Sequence, residues 1–345
     1  MLQSVSLIQG GHKTQNDAPK SLSDTLRPLY RNFIEKELKY KPTPLDDNTA
    51  LWEAACQYEI CVPREEGSLS AEAFYAGVTY AAVCFPKHPL DVQVYIGIYS
   101  WLGLLMDDEA HMHPEEFARF GARFVSGAPH PLPLLQGWAD LLPLAYKYWD
   151  ATVANFIVSA SLNFMNANLL ETEAAFRRVK ETPANKTSGG GGSGRNWAWY
   201  VRERDGDGEA VAYMTFPKSM YPDAAQYLEC IPDLNRYIAS ANDVLSFYKE
   251  ERIGDSNNYI SQMATYDNKA KIDVLKDTIQ DVSEAVQRMR ATLKGEGKEA
   301  YAAALEDHIL GYVDFHRLSP RYRLWEVGIG KESDKTFATL EGSGQ

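Results

Sequence analysis

Apolar residues recur along this chain at the three- and four-residue spacing that gathers them on one face of a helix. Leu26, Leu29, Tyr30, Phe33, Ile34 and Leu38 form the first such run. The same spacing predicts helices near 46–61, 70–86, 90–108, 114–125, 132–147, 149–177, 222–252, 256–265, 267–294 and 297–317. Period-two alternation between hairpin turns is scarce, and the joins are short and marked by Pro or Gly. The pattern therefore predicts an all-α, single-domain helical bundle over 21–328, with 1–20 and 329–345 as flexible ends.

Two stretches depart from one-sided amphipathicity. Residues 90–106 and 151–170 are apolar almost all round, as befits helices in the centre of a bundle. The first runs straight into Asp107-Asp108-Glu109. Carboxylates at the end of a buried helix are costly unless cations lie close by.

A second polar departure lies in Asn242-Asp243-Val244-Leu245-Ser246-Phe247-Tyr248-Lys249-Glu250. Asn242, Ser246 and Glu250 stand at i, i+4 and i+8, one face of a helix. An amide, a hydroxyl and a carboxylate converging there suit a hard divalent cation, Mg²⁺ above all, with room left for phosphate oxygens. Together with Asp107 they predict two facing oxygen clusters able to hold several ions. Lys249 is long enough to reach a phosphate.

Other candidates are weaker taken singly. Arg202 is followed by Asp205 and Gly206, so a carboxylate can hold the guanidinium while Gly permits a helix break. Arg321-Tyr322-Arg323 offers a rigid fork and a hydroxyl donor. His111 and His113 lack a third ligand at zinc spacing. Phe74, Tyr75, Tyr95, Tyr99, Trp101 and Trp325 fall where ring faces could line an apolar cavity and stabilise a carbocation.

Composition limits the partners. With 47 acidic against 35 basic residues, the formal charge of −12 argues against nucleic acid and anionic membranes. An anionic substrate must then be met by local cations. Cys56, Cys61, Cys84 and Cys230 show no ligand spacing and read as buried free thiols. No signal peptide and no membrane-spanning run is recognisable, which predicts a soluble cytoplasmic protein. The stretch 185–195 is Gly-rich; its G-x-G-x-x-G follows no strand, so it reads as a flexible loop or an engineered linker rather than a phosphate cradle.

Taken in order, these motifs resemble those of fungal class I terpene cyclases, specifically the trichodiene synthase-like sesquiterpene synthases, over most of the chain. Asp107-Asp108-Glu109 looks like the aspartate-rich motif, and Asn242, Ser246 and Glu250 like the ligands of the second metal motif. Arg202, Asp205 and Gly206 match the diphosphate sensor, linker and effector, and Arg321-Tyr322 the C-terminal diphosphate-binding pair. The acidic motif is short, with His111 where a longer D-D-x-x-D would place an acid, and Ser319-Pro320 precede the Arg-Tyr pair. The resemblance implies an α-helical fold around a blind apolar pocket. It implies three Mg²⁺ ions, for which Mn²⁺ could substitute, held from Asp107, Asn242, Ser246 and Glu250. Diphosphate would meet Arg202, Lys249, Arg321 and Tyr322, with Asp108, Asp205 and Gly206 assisting. The implied reaction is ionisation of farnesyl diphosphate, cyclisation, and release of pyrophosphate with a cyclic hydrocarbon or alcohol, in an enzyme that could be a homodimer. A chain-elongating prenyl diphosphate synthase would carry two D-D-x-x-D motifs, and a class II cyclase a D-x-D-D. A non-catalytic isoprenoid-binding helical protein would not need the cations and the oxygen clusters together.

Overall fold

The computed structural model describes residues 21–42, 46–60, 62–172, 194–205 and 207–331. The expected flexible segment 1–20, the Gly-rich stretch up to 193, Gly206, Cys61 and the chain beyond 331 lie outside the described residues. Among the described residues the regular structure is helical throughout, with no β-strand.

The centre is a pair of antiparallel helices, Leu69–Cys84 and Leu90–Glu109, joined by a tight Pro-containing turn. They touch backbone to backbone because small residues face each other. A Cβ added at Gly77 would stand 2.5 Å from the Gly97 carbonyl oxygen and 2.5 Å from the Trp101 nitrogen. The helix Glu299–Leu318 closes on the other side, where a Cβ at Gly311 would fall 2.0 Å from the Val83 carbonyl oxygen. As the apolar pattern predicts, Val92–Tyr99 is buried without a break, and so are Trp101, Leu102, Leu105 and Met106.

The longest helix among the described residues, Ile231–Ile253, packs on Lys271–Thr292 and Gly208–Met214. Pro232 fits its first turn, where no amide donor is required, and Gly254 ends it at φ 74° with its amide returned to the Glu250 carbonyl. Buried tyrosine hydroxyls anchor it from two sides. Tyr30 donates to the Val244 carbonyl at 2.6 Å and Tyr312 to the Ile238 carbonyl at 3.1 Å, while Tyr237 donates outward to the Ile309 carbonyl at 2.8 Å. Such tethers fix the helix in rotation as well as position, which a purely apolar interface does less well.

Several predicted helices change shape. The 222–252 element begins only at Ile231; residues 224–226 and 228–230 are 3₁₀ turns, because Asp223 caps the short turn and Pro232 demands a fresh start. The 114–125 element is two short helices, Pro114–Ala118 and Phe120–Ser126. The 132–147 element breaks at Leu142–Leu144 around Pro143. The helix Ala151–Thr172 contains the segment Ala151–Leu170, long and apolar enough to cross a membrane by composition, yet half of it is buried inside the bundle. Of the thiols, Cys84 and Cys230 are buried and free as expected, but Cys56 is exposed, since it ends a short surface helix rather than lying within a core one.

Candidate active site

A cavity of about 360 Å³ opens between the ends of these helices. Its wall divides by chemistry. Tyr80, Tyr99, Phe164, Ile238, Tyr312 and Phe315 give an apolar part, all but Phe164 from the core pair, the long helix and its neighbour. Asp107, Arg202, Asp205, Asn242, Asp243, Lys249, Glu250, Arg321 and Tyr322 give a polar part. Four segments far apart in sequence therefore meet at one opening.

The long helix supplies most of the polar wall. Asn242, Lys249 and Glu250 line the cavity, whereas Ser246 is 1% exposed and lies behind it. The Ser246 hydroxyl donates to the Asn242 carbonyl at 2.7 Å, which directs its proton into the helix and leaves lone pairs on Oγ. Burial pushes the Glu250 carboxyl above the usual range, with Ser246 and Lys249 opposing. The Lys249 ammonium, pulled down by burial and by the Arg321 charge, stands 5.6 Å from the Tyr322 ring centre.

Arg202, at the end of the helix Asn196–Asp205, is the most heavily bonded side chain of the site. Its Nε donates to Asp243 Oδ1 at 2.8 Å and its Nη1 to Asp205 Oδ1 at 3.0 Å. Its Nη2 donates to the Ala239 carbonyl at 2.8 Å and to Asn242 Oδ1 at 3.2 Å. Burial alone would pull this guanidinium down, but Asp243 and Asp205 outweigh it and hold it firmly protonated. Asp243, 6% exposed, is pushed up to about 6 by burial, against the pull of Arg202. The expected Arg202–Asp205 contact is present.

Asn242 is oriented from behind. Its Nδ2 lies 3.1 Å from His316 Nε2, and His316 Nδ1 lies 2.7 Å from the Tyr312 carbonyl. A carbonyl only accepts, so Nδ1 carries the proton and Nε2 accepts from the amide. Complete burial pushes His316 down to about 3 and keeps it neutral. This assignment turns Asn242 Oδ1 toward the cavity.

On the opposite wall, Asp107 is exposed at the last turn of the Leu90–Glu109 helix, and Asp108 lies 3.8 Å from Arg321 Nη1. Arg321 is 46% exposed, a cation within reach of solvent, while Tyr322 is 6% exposed beside it. The ring of Tyr322 sits 4.3 Å from that of His316.

The aromatic candidates separate. Tyr99 lines the cavity. Phe74 and Tyr75 instead pack with Trp52, and Trp101 with Phe74, outside the cavity wall, with Arg64 over Phe74 and Trp101. Tyr95 borders a separate cavity with Tyr58 and Tyr148. Trp325 belongs to the 3₁₀ turn Leu324–Val327 and is not in the wall. Position along the helix explains the error: Tyr95 and Tyr99 share a face and stack at 6.2 Å, but Tyr95 stands one turn further from Asp107 and the opening.

Residues 71–340 match the family described as trichodiene synthase (TRI5). Longiborneol synthase CLM1 of Gibberella zeae is 37% identical over 91% of both chains. The chain belongs to the trichodiene synthase family. Terpene synthase BipA of Cochliobolus sativus is 33% identical over 91% of this chain and 94% of that one. In fold it is similar to a linalool/nerolidol synthase from Streptomyces clavuligerus, with TM-score 0.56 at 14% identity over 80% of this chain and 98% of that one. It is thus a class I terpene synthase, a terpene cyclase with an all-α fold.

Sequence reasoning missed Asp243 and His316. Asp243 stands inside the recognised run, one residue after Asn242, and the buried guanidinium it partners supplied no local signal. His316 precedes Arg321 by five residues and carries no spacing of its own.

Proposed function

We propose that this trichodiene synthase family member ionises farnesyl diphosphate and cyclises the resulting cation, releasing pyrophosphate. What carries the reading is one cavity with two chemistries: buried aromatic and aliphatic walls for a hydrocarbon, and Arg202, Lys249, Arg321 and Tyr322 along its polar side for a diphosphate. Its volume lies in the range of about 300–1,000 Å³ usual for small-molecule sites.

The fit to Mg²⁺ rests on donor chemistry. Among the described residues no three carboxylate, imidazole or thiolate groups gather into a ready cation cage. The donors are instead mixed oxygens, Asn242 Oδ1, Ser246 Oγ and Glu250 on one helix face and Asp107 across the opening, which suits a hard ion completed by phosphate oxygens. We assign these four as ligands, of three Mg²⁺ ions in all, with Mn²⁺ able to substitute. When bound, Mg²⁺ supplies positive charge against the leaving diphosphate. The chain's own part is orientation and charge. Arg202, held by Asp205 and Asp243, presents a fixed fork; Arg321 and Lys249 add mobile cations; Tyr322 donates from a buried ring. Asp108 steadies Arg321 and Gly206 follows as effector. The deeper tyrosine and phenylalanine faces stabilise the cation and exclude water.

Against the chain-elongating alternative stands the long helix, which brings Asn242 and Glu250 to the cavity where a second D-D-x-x-D would be needed. Purified protein with Mg²⁺ should release pyrophosphate fastest from the C15 diphosphate, and release from none of the C10, C15 or C20 diphosphates would refute the proposal. Asn242→Ala combined with Ser246→Ala should abolish release while the circular dichroism spectrum stays helical.

A further inference from the structure

We infer that Asp207 is the proton acceptor that ends the cyclisation, taking a proton from the last carbocation at the cavity wall. The inference rests on the ionisation reading above and extends it to the opposite end of the reaction.

Six carboxylates line the cavity. Asp205 and Asp243 are committed to Arg202, Asp107 and Glu250 face Lys249 and Arg321, and Asp255 accepts from the Asn257 amide at 2.8 Å. Asp207 differs from all five: among the described residues no Arg or Lys pairs with it. Its Oδ1 is sealed from solvent with no hydrogen-bond donor. The backbone explains how it arrives there. At φ 48° and ψ 19° it occupies the left-handed region between the helices Asn196–Asp205 and Gly208–Met214. An aspartate opening a helix ordinarily caps it, yet this side chain makes no capping bond. A left-handed non-glycine costs about 1 kcal/mol, and such outliers gather at functional sites.

Behind Asp207 runs a chain of hydroxyls. Tyr99, whose hydroxyl stands beside the Asp207 carboxyl, lies 2.6 Å from Ser161 Oγ, and Ser161 Oγ lies 2.8 Å from the Ile157 carbonyl. Tyr99 and Ser161 are at most 1% exposed. With Asp207 ionised, Ser161 donates to Tyr99 and Tyr99 to the carboxylate. With Asp207 protonated, the two hydroxyl links reverse: the acid donates to Tyr99 and Tyr99 to Ser161, whose own proton goes to the Ile157 carbonyl. Rotation of two hydroxyls therefore accommodates either protonation state without leaving a donor unpaired. Burial raises the Asp207 carboxyl to about 7, where a base works near neutrality.

The step balances simply. A C–H bond next to the cationic carbon breaks, its electron pair becomes the new C=C bond, and the proton joins the Asp207 carboxylate. Opening of the site after product release returns that proton to water. Among the described residues no histidine lines the cavity; the buried ones nearest it are engaged, His308 between Tyr80 and Thr215 and His316 between Asn242 and the Tyr312 carbonyl.

The test is Asp207→Asn, which keeps size and tolerance of the left-handed backbone but removes the base. Products from farnesyl diphosphate would be separated by gas chromatography with mass spectrometry, alongside pyrophosphate release. Release should persist at a reduced rate, because ionisation precedes proton loss. The wild-type main olefin should fall to a minor product, replaced by other olefin isomers or alcohols. An unchanged product spectrum would overturn the inference and leave pyrophosphate as the base. So would an alcohol as the wild-type main product, or complete loss of release from folded D207N. Loss of release in wild type would instead sink the ionisation reading. If D207N does not fold, Tyr99→Phe decides: it breaks the relay but spares the carboxylate, and must shift products in the same direction.

Discussion

Replacing His316 by phenylalanine tests whether the active site is held from behind. The imidazole is not itself part of the cavity wall; it backs four lining residues, Asn242, Tyr312, Phe315 and Tyr322. Phenylalanine keeps most of the ring volume among Tyr312, Phe315 and Tyr322. What disappears is the acceptor at 3.1 Å from Asn242 Nδ2, together with the Nδ1–H donor to the Tyr312 carbonyl. An amide left without that partner costs about 1–3 kcal/mol where it stays shielded, and it can recover part of this by rotating its two ends. Rotation would turn nitrogen, not oxygen, toward the cavity. A ligand whose orienting partner is lost typically costs 10–100-fold in metal affinity, or about 1.4–2.8 kcal/mol.

The assay is pyrophosphate release as a function of Mg²⁺ concentration. In H316F the half-saturating Mg²⁺ should rise by about 10–100-fold, with a smaller loss of rate at saturation. Direct Mg²⁺ protection against thermal unfolding in the presence of pyrophosphate should weaken in parallel. His316→Gln can place a carbonyl oxygen near the former Nε2, so it should recover part of the Mg²⁺ response. Equal Mg²⁺ dependence in H316F and wild type, with the fold intact, would refute the orientation argument. Equal damage in the phenylalanine and glutamine variants would point to packing instead.

Three further outcomes follow from the geometry. Gly311→Ala puts a methyl 2.0 Å from the Val83 carbonyl oxygen and should cost at least the 1–3 kcal/mol typical of overpacking, read as a lowered midpoint in urea, whereas Gly121→Ala has open space and should gain about 0.5–1 kcal/mol. Arg202→Met strands the buried Asp243 carboxylate and should destabilise by about 3–5 kcal/mol, much of it recovered when Asp243→Leu is added, in chemical unfolding of both variants. Acid should weaken the fold through His88, depressed to about 4, and His308 and His316, each depressed to about 3: all three stay neutral when folded, so the stability they hold above pH 6.5 is lost as pH falls. Asp207, raised to about 7, works in the opposite sense and offsets roughly one of those three protons. The stability slope of D207N between about pH 4.5 and 6.5 should therefore be steeper than wild type by about 1.4 kcal/mol per pH unit, and an unchanged slope would refute the assignment.

The parts of the site legible in the sequence are those that obey a local period. Asn242 and Glu250 share a helix face because of their spacing, and the helix Leu90–Glu109 delivers Asp107 to the opening because nothing polar interrupts its burial. The joins were less legible. Pro143 and Pro232 reset helices that apolar spacing alone runs together, and a surface helix as short as Thr49–Cys56 leaves Cys56 in solvent. What periodicity could not supply is partnership across the bundle. Asp243, His316 and Asp207 acquire meaning only from Arg202, Asn242 and Tyr99, which lie 41, 74 and more than a hundred residues away. The misplaced aromatics fail for the same reason: a helix apolar on every side gives no indication of which ring meets the cavity and which meets a neighbouring helix.

One consequence joins the two halves of the polar wall. Arg202 Nη2 and the proposed metal share a single acceptor, Asn242 Oδ1, because His316 holds the other end of the amide. A guanidinium and a divalent cation repel at that separation, so both cannot sit on the oxygen at full strength. The guanidinium also bridges the Asn196–Asp205 helix to the Ile231–Ile253 helix through Asp243 and the Ala239 carbonyl. It is a structural tie before it is a ligand for phosphate. A diphosphate that drew Arg202 toward itself would loosen that tie and free Asn242 Oδ1 in the same movement. Anion recognition and cation binding would then favour each other, with no contact between them beyond one shared amide oxygen.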